Sequence, residues 1–284
     1  MKTGFIGLGH LGKTMAKRLI GEGIELVVWN RTPEKAADLK AEVAASPADL
    51  AAKADVIFMN LFDSEAVWSV ISGTGGLLEA DCSGRIIIDT STNHFEDVLH
   101  FHEMLRETGA SYLEAPVLGS VVPAQQGNLT VLVSGEKRPY EKVLPLLEKI
   151  GKTIFYLDKP SLATRMKLIN NLVLGSFMAT LAEAIALAEA AGIDKAGAIE
   201  MLLAGAGNSV VLTAKKEKIL KEDFSTQFSS ALIYKDLDYL QDLAFTLKRP
   251  LFTGSVVKEL FGMTFSRDIE DQDFSAVYEV MKGL

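Results

Sequence analysis

The feature that most restricts the fold is Gly7-Leu8-Gly9-His10-Leu11-Gly12, a G-x-G-x-x-G spacing directly after the apolar run Gly4-Phe5-Ile6 and directly before a helical stretch. Glycines recur in turns, so the spacing alone is a weak signal; its place between the first strand and first helix of a βαβ unit gives it meaning. There Gly7 permits the tight turn and Gly9 lets the backbone approach a pyrophosphate. Gly12 lets helix and strand pack closely, with the helix N-terminus facing the anion. Leu8, His10 and Leu11 belong to the same loop and are placed with the glycines as cofactor-binding. The alternative is a structural turn with no ligand.

The first half continues as that unit requires. Apolar runs at Ile24–Trp29, Asp55–Asn60, Arg85–Asp89, Tyr112–Glu114, Leu129–Val133 and Thr153–Leu157 read as strands. Helical periodicity occupies Leu11–Ile20, Pro33–Leu39, Phe95–Thr108 and Lys137–Ile150. Strands that are apolar throughout, alternating with helices, imply a parallel sheet covered on both faces, a doubly wound α/β domain over residues 1–160. After Pro160 the texture changes to helix formers, with one long helix over 161–191 and a wholly helical domain over 161–284. That helix is apolar nearly all round, so it is expected to be buried on several sides. Asn170, Asn171, Gly175, Ser176 and Thr180 interrupt its longest uncharged run, which argues against a bilayer span.

Composition removes several function classes. A formal charge of −8 is the wrong sign for displacing counterions from nucleic acid. The single cysteine, Cys82, excludes an internal disulfide and a thiolate-rich metal site. His100 and His102 point to different faces of a helix and make poor joint ligands, so no metal is expected. The start of the chain carries no address-like segment, and the expectation is a soluble, cytoplasmic protein with no membrane partner. Lys215-Lys216-Glu217-Lys218 with Lys221-Glu222-Asp223 reads as a solvated face.

The end of the second strand decides between cofactors. Enzymes using NAD place Asp or Glu about 20 residues beyond the loop to bind the ribose 2′-hydroxyl. Here Trp29 is followed by Asn30-Arg31-Thr32. Arg31 attracts a 2′-phosphate and can bind two of its oxygens, with Asn30 and Thr32 as uncharged donors. NADP is therefore the expected cofactor. Two further loops, Asp89-Thr90-Ser91-Thr92 and Glu114-Ala115-Pro116-Val117-Leu118-Gly119-Ser120, follow strands, where an open α/β sheet binds ligands. In the long helix Lys167 and Asn171 are four residues apart, on one face. A lysine there either snorkels to water or is held near a carbonyl oxygen, where it can donate the proton that accompanies hydride delivery.

Taken together, these motifs resemble the β-hydroxyacid dehydrogenases, which include 3-hydroxyisobutyrate dehydrogenase and the glyoxylate/succinic semialdehyde reductases. The resemblance runs from Gly7–Gly12 through Asp89–Thr92, Pro116-Val117 with Gly119-Ser120, and Lys167 with Asn170-Asn171. It continues to Lys235-Asp236-Leu237 and Asp273-Phe274-Ser275-Ala276. Asn30-Arg31-Thr32 combined with Gly119-Ser120 is most similar to the NADP-using glyoxylate/succinic semialdehyde reductases. The resemblance implies an N-terminal Rossmann domain, of the kind in 6-phosphogluconate dehydrogenase, and a C-terminal all-α domain joined to it by a long helix, with the active site in the cleft. It implies a homodimer or homotetramer formed through the helical domain. It makes Lys167 the general acid in reduction and base in oxidation, supported by Asn171 and Asp236. Lys235, Thr92 and Leu61 would border the cofactor; Ser91, Leu118, Gly119 and Ser120 would meet the substrate. Leu118 departs from the family's usual serine, removing a hydroxyl and making that wall of the pocket more apolar. The expected activity is hydride transfer between NADP(H) and a small 3-hydroxy acid or aldehyde acid. An imine reductase-like enzyme and a non-catalytic NADP-binding module are the alternatives.

Overall fold

The computed structural model describes residues 1–284 and divides into two compact units, Met1–Lys167 and Leu168–Leu284. In the first, strands β1 (Thr3–Ile6), β2 (Leu26–Trp29), β3 (Glu42–Val43), β4 (Val56–Met59), β5 (Ile86–Asp89) and β6 (Ser111–Glu114) form one sheet. Its order is β3-β2-β1-β4-β5-β6 and every pairing is parallel. This is the doubly wound order whose strand reversal, beside β1, creates a crevice at the carboxyl ends.

Both faces are apolar because both are covered. Phe5, Val28, Phe58, Ile88 and Leu113 point to one side, against Met15 and Leu19 of α1 (His10–Gly21). Ile6, Ile57, Met59 and Ile87 point to the other. There they meet Leu50 of α2 (Pro47–Lys53), Val67 and Ile71 of α3 (Ser64–Ser72), and Phe101 and Leu105 of α4 (Phe95–Glu107). Successive residues of a strand face opposite ways, so burial on both faces makes the strands continuously apolar.

The structure departs from the sequence reading at three places here. The stretch Pro33–Leu39 forms only one 3₁₀ turn, Pro33–Ala36; it is too short to propagate a helix, and Asp38 is drawn to Lys13 and Lys17 of α1 at 2.5 and 2.7 Å. The runs near 129–133 and 153–157 do not extend the main sheet. They form β8 (Leu129–Val133) and β9 (Gly151–Tyr156), a second sheet completed by the two-residue β7 (Val117–Leu118), which pairs antiparallel with β8. Pro116, without an N–H, ends the ladder of β6 and turns the chain out of the first sheet. Between these strands lie α5 (Val121–Gln126) and α6 (Lys137–Ile150). Five short elements, β3, α2, α3, β7 and α5, had no counterpart in the sequence reading.

The long helix α7 spans Leu162–Ala190, and the division between units falls inside it, after Lys167. The second unit is wholly helical: α8 (Lys195–Ala204), α9 (Val210–Lys221), α10 (Ser230–Thr246), α11 (Phe252–Gly262) and α12 (Val277–Lys282). By length and a mean hydropathy of 1.6, α7 is apolar enough to cross a bilayer, yet its buried residues include Lys167 and Asn171.

Lys215 corrects the expectation of a solvated face on α9. It is buried, with its ammonium 2.8 Å from Asp273 Oδ2 and 3.1 Å from Gln227 Oε1, over the ring of Phe274. Asp273 also accepts from the N–H groups of Gln227, Phe228 and Ser275 and from the Ser275 hydroxyl. This knot ties α9 to the chain entering α12, and burial lowers the Lys215 pKa despite its partner. Removing one member strands a buried charge, which costs about 3–5 kcal/mol. Lys215→Met is therefore expected to lower the thermal midpoint by roughly 10 °C. Lys215→Met with Asp273→Asn is expected to lose less than the two single changes summed, as differential scanning calorimetry would show.

Candidate active site

The phosphate loop is shaped by how close its neighbours come. Gly7 has φ +93°, and a Cβ there would stand 2.2 Å from the Asn60 carbonyl oxygen at the end of β4. A Cβ at Gly12 would stand 2.2 Å from the Gly7 carbonyl oxygen. Around Gly9, by contrast, a Cβ would meet nothing within 4 Å. The loop is thus closed toward the sheet and open outward, where a pyrophosphate would approach. Helix α1 has Gly9 as its cap, no side-chain capping bond and no acidic residue in its first turn. Its first N–H groups and positive dipole end can therefore serve an anion. These residues fit a dinucleotide.

Polar side chains at the strand ends hold that loop. Asn30 Oδ1 accepts from Leu8 N at 2.8 Å, and its Nδ2 donates to the Thr32 carbonyl at 2.9 Å. The amide expected to be a ligand donor thus has both ends engaged with backbone, fastening the phosphate loop to the end of β2. Leu8 is buried beneath the loop, His10 is exposed and Leu11 half-buried. Arg31 and Thr32 are exposed beside them, and no carboxylate stands at this strand end.

Next along the same edge, Asn60 Nδ2 donates to Thr90 Oγ1 at 3.0 Å, and Leu61 N donates to Ser91 Oγ at 2.8 Å. The structure therefore gives Ser91 a role in joining the ends of β4 and β5, and its hydroxyl hydrogen can still point elsewhere. Below it Asp89 is wholly buried and accepts from Ser91 N, Asn93 Nδ2 and the Tyr112 hydroxyl at 2.9, 2.8 and 2.7 Å. Burial raises its pKa against those bonds. Thr92, half-buried, follows. Beyond β6, Leu118 is half-buried in β7, Gly119 is exposed with φ +114°, and Ser120 caps α5 without using its hydroxyl for the cap.

In the long helix, Lys167 and Asn171 are both buried one turn apart. Asn171 Nδ2 donates to Asp236 Oδ2 at 2.6 Å, and the Lys235 ammonium stands 2.8 Å from Asp236 Oδ1 and 4.8 Å from the centre of the Tyr239 ring. The structure thus gathers Asn171, Asp236 and Lys235 into one chain of polar contacts between α7 and α10. Sequence reasoning missed Asn60, Asn93, Tyr112 and Glu114. The signal available for Asn60 and Glu114 was a polar residue ending an apolar parallel strand, the place where such sheets bind ligands.

Comparison with known proteins bears on the family and the fold. Residues 2–158 match the family of the NAD-binding domain of 6-phosphogluconate dehydrogenase, and residues 162–281 match that of the NAD-binding region of NADP-dependent 3-hydroxyisobutyrate dehydrogenase. The chain is 35% identical over 283 residues to chloroplastic glyoxylate/succinic semialdehyde reductase 2 of Arabidopsis thaliana, covering 99% of this chain and 79% of that one. It superposes with a TM-score of 0.92 on 3-hydroxyisobutyrate dehydrogenase from Salmonella typhimurium, at 26% identity and 99% of both chains. It superposes at 0.90 on Psf3 in complex with NADP+ and 2-OPP, at 28% identity over 98% of this chain and 99% of that one. With its Rossmann loop, its helical second unit and full-length relatives of this kind, the chain belongs to the β-hydroxyacid dehydrogenase family and is an oxidoreductase of CH–OH groups.

Proposed function

We propose that this enzyme uses NADP(H) to interconvert a small 3-hydroxy acid and the matching aldehyde acid, of 3-hydroxyisobutyrate, glyoxylate or succinic semialdehyde type, with Lys167 as general acid/base. The observation that carries the reading is Lys167 itself, 7% exposed within an apolar helix. Burying an ammonium is costly, so a chain keeps one there for what its charge does. When bound, NADPH supplies the hydride. In reduction Lys167 Nζ gives its proton to the substrate's carbonyl oxygen as the alcohol forms; in oxidation the same nitrogen takes the hydroxyl proton. Asn171, anchored by Asp236, lies one turn along the same face and fixes the polar surroundings of that ammonium. Asp236 also holds Lys235, the proposed neighbour of the cofactor.

Arg31 supports NADP over NAD: its guanidinium is exposed beside the phosphate loop, where a carboxylate would repel a 2′-phosphate. Ser91, Gly119 and Ser120 offer a hydroxyl and N–H groups to a substrate carboxylate, and Leu118 adds an apolar wall that favours a substrate with some carbon chain. A relative being named glyoxylate/succinic semialdehyde reductase supports the same substrate class.

The exposed face of α7 supports a homodimer or homotetramer. Ile169, Val173 and Phe177 recur every four residues at 44–48% exposure, and Phe252 and Val256 of α11 are 81% and 63% exposed. The two helices touch, since a Cβ at Gly254 would lie 2.9 Å from Leu172 Cδ1. Exposed apolar faces of this kind support an interface between copies of the chain. Light scattering is expected to give a multiple of 30.8 kDa, and Val173→Glu with Phe252→Glu is expected to shift it toward that mass.

Two kinetic outcomes test the reading. Initial rates with glyoxylate and succinic semialdehyde are expected to be faster with NADPH than with NADH. Arg31→Ala is then expected to weaken NADPH by about 10- to 100-fold while barely affecting NADH; equal loss for both would overturn the NADP assignment. Lys167→Ala is expected to lower turnover by ~10²-fold or more with NADPH affinity retained. Turnover of a cyclic imine alone, or tight NADPH binding with no turnover, would instead support the imine reductase-like or non-catalytic alternative.

A further inference from the structure

At the end of β6, Glu114 is 1% exposed and in register with Asp89 of β5. Neither carboxylate reaches solvent. Asp89 is engaged by Ser91 N, Asn93 Nδ2 and the Tyr112 hydroxyl. Glu114 is spent on a helix: its Oε2 accepts from Thr164 N at 2.9 Å, and its Oε1 accepts from Ser161 N. Ser134 Oγ accepts from Ala163 N at 2.9 Å, and the Ser161 hydroxyl donates to the Phe95 carbonyl at 2.8 Å. Three N–H groups at the start of α7 are therefore bound by side chains from the sheet rather than by a cap of the helix's own. The chain enters through Ser161 in the left-handed region, φ +72°, a conformation that costs a non-glycine residue energy and persists only where its surroundings impose it. Lys167 follows Thr164 by three residues, within the next turn of the same rigid helix.

We infer that Glu114 is a positioning residue for Lys167: its buried carboxylate clamps the first turn of α7 to the edge of the sheet that carries the substrate loops, and so fixes where the ammonium stands. The inference rests on the reading of Lys167 as the proton donor. A carboxylate is an expensive way to hold a helix, and that expense separates positioning from simple stabilisation. Burial raises Glu114 from 4.5 to about 7. The titratable groups facing it are Asp89 of β5, Tyr112 of β6 and His102 of α4. His102 Nε2 lies 4.0 Å from Oε1 with no hydrogen-bond partner, and burial holds that imidazole down at about 4, hence neutral near pH 7. Because the folded pKa lies above the ordinary one, the native state favours the neutral acid. The associated stability is complete below about 4.5 and is lost as the pH rises through about 7. Over the same rise the group becomes the full acceptor of two N–H groups that the clamp requires. Stability and catalytic geometry therefore pull in opposite directions at this one residue.

The test is Glu114→Gln, assayed with NADPH and whichever of glyoxylate and succinic semialdehyde turns over, alone and in a Lys167→Ala background. A displaced catalytic group can cost ~10²-fold, so kcat at about pH 8 is expected to fall by ~10- to 100-fold. KM for NADPH is expected to hold, and the thermal midpoint is expected not to fall. Wild-type kcat is expected to rise between about pH 6 and about pH 8, and the variant is expected to lack that rise. With Lys167→Ala already present, Glu114→Gln is expected to cost nothing further, since no ammonium remains to misplace. Wild-type kcat and pH profile in Glu114→Gln, or an equal loss with and without Lys167, would overturn the inference. A fall in thermal midpoint accompanied by lost NADPH affinity would overturn it too, as the mark of general damage. Lys167→Ala with unimpaired turnover would sink the reading of Lys167 instead, whatever Glu114 does. The unaltered enzyme carries a further test: thermal midpoint and kcat moving in the same direction between about pH 6 and about pH 8 would count against a clamp of this kind.

Discussion

Six parallel strands that end at one edge leave a row of backbone groups there with no further ladder to join. Buried N–H and C=O groups have to be paired with something, and at this edge several of the partners are side chains. Asn30 takes Leu8 N, Ser91 takes Leu61 N, Asp89 takes Ser91 N, and Glu114 takes Ser161 and Thr164 N. All but the Asp89–Ser91 bond join the end of one strand to another segment. The loops proposed to serve a cofactor and a substrate are consequently not loose connections. The same side chains that satisfy the sheet hold them, so ligand geometry is tied to the rigid core.

The cost of this arrangement is concentrated in two carboxylates. Asp89 and Glu114 are neighbours in register, both buried and both raised in pKa by that burial. A sheet built only for stability would end in groups cheaper to bury. Carboxylates are strong, doubly accepting anchors, and a substrate edge benefits from strength of placement more than from low cost. Tyr112 and Asn93 spread the burden by donating to Asp89, which keeps a second charge from standing unsupported beside Glu114.

How much of this was legible follows from the range of each interaction. Gly7, Gly9 and Gly12 are readable because their geometry is local: a turn, a helix start and a strand within twelve residues. Arg31 is readable because a strand end and a spacing fix its place. The strands of the main sheet declare themselves through apolar runs, and Pro116 at the close of the last one explains why the next strands leave it. Glu114 could not be recognised as a helix anchor, because its partners lie 47 and 50 residues away and nothing local marks a glutamate as capping a distant helix. Lys215 failed for the same reason. Its neighbours in sequence are charged and α9 looks like a solvated face, while the carboxylate that draws it inward is 58 residues downstream.

Helix α7 shows why composition averaged over an element can mislead even when the element is identified correctly. Its mean hydropathy would suit a bilayer, but the average merges unlike surfaces. One face is buried, with Leu168, Met178, Ala182 and Ile185 fully enclosed. Lys167 and Asn171 lie on that same buried face, and Asn171 is joined through Asp236 to α10. Another face leaves Ile169, Val173 and Phe177 at the surface. The hydrophobic periodicity that separates a surface helix from a buried one is flattened, because exposed and enclosed faces are both apolar. Only the placement of the few polar residues distinguishes them, and those residues include the proposed proton donor. A helix whose polar positions are scarce, aligned at four-residue spacing and buried is better read from those positions than from the apolar majority around them.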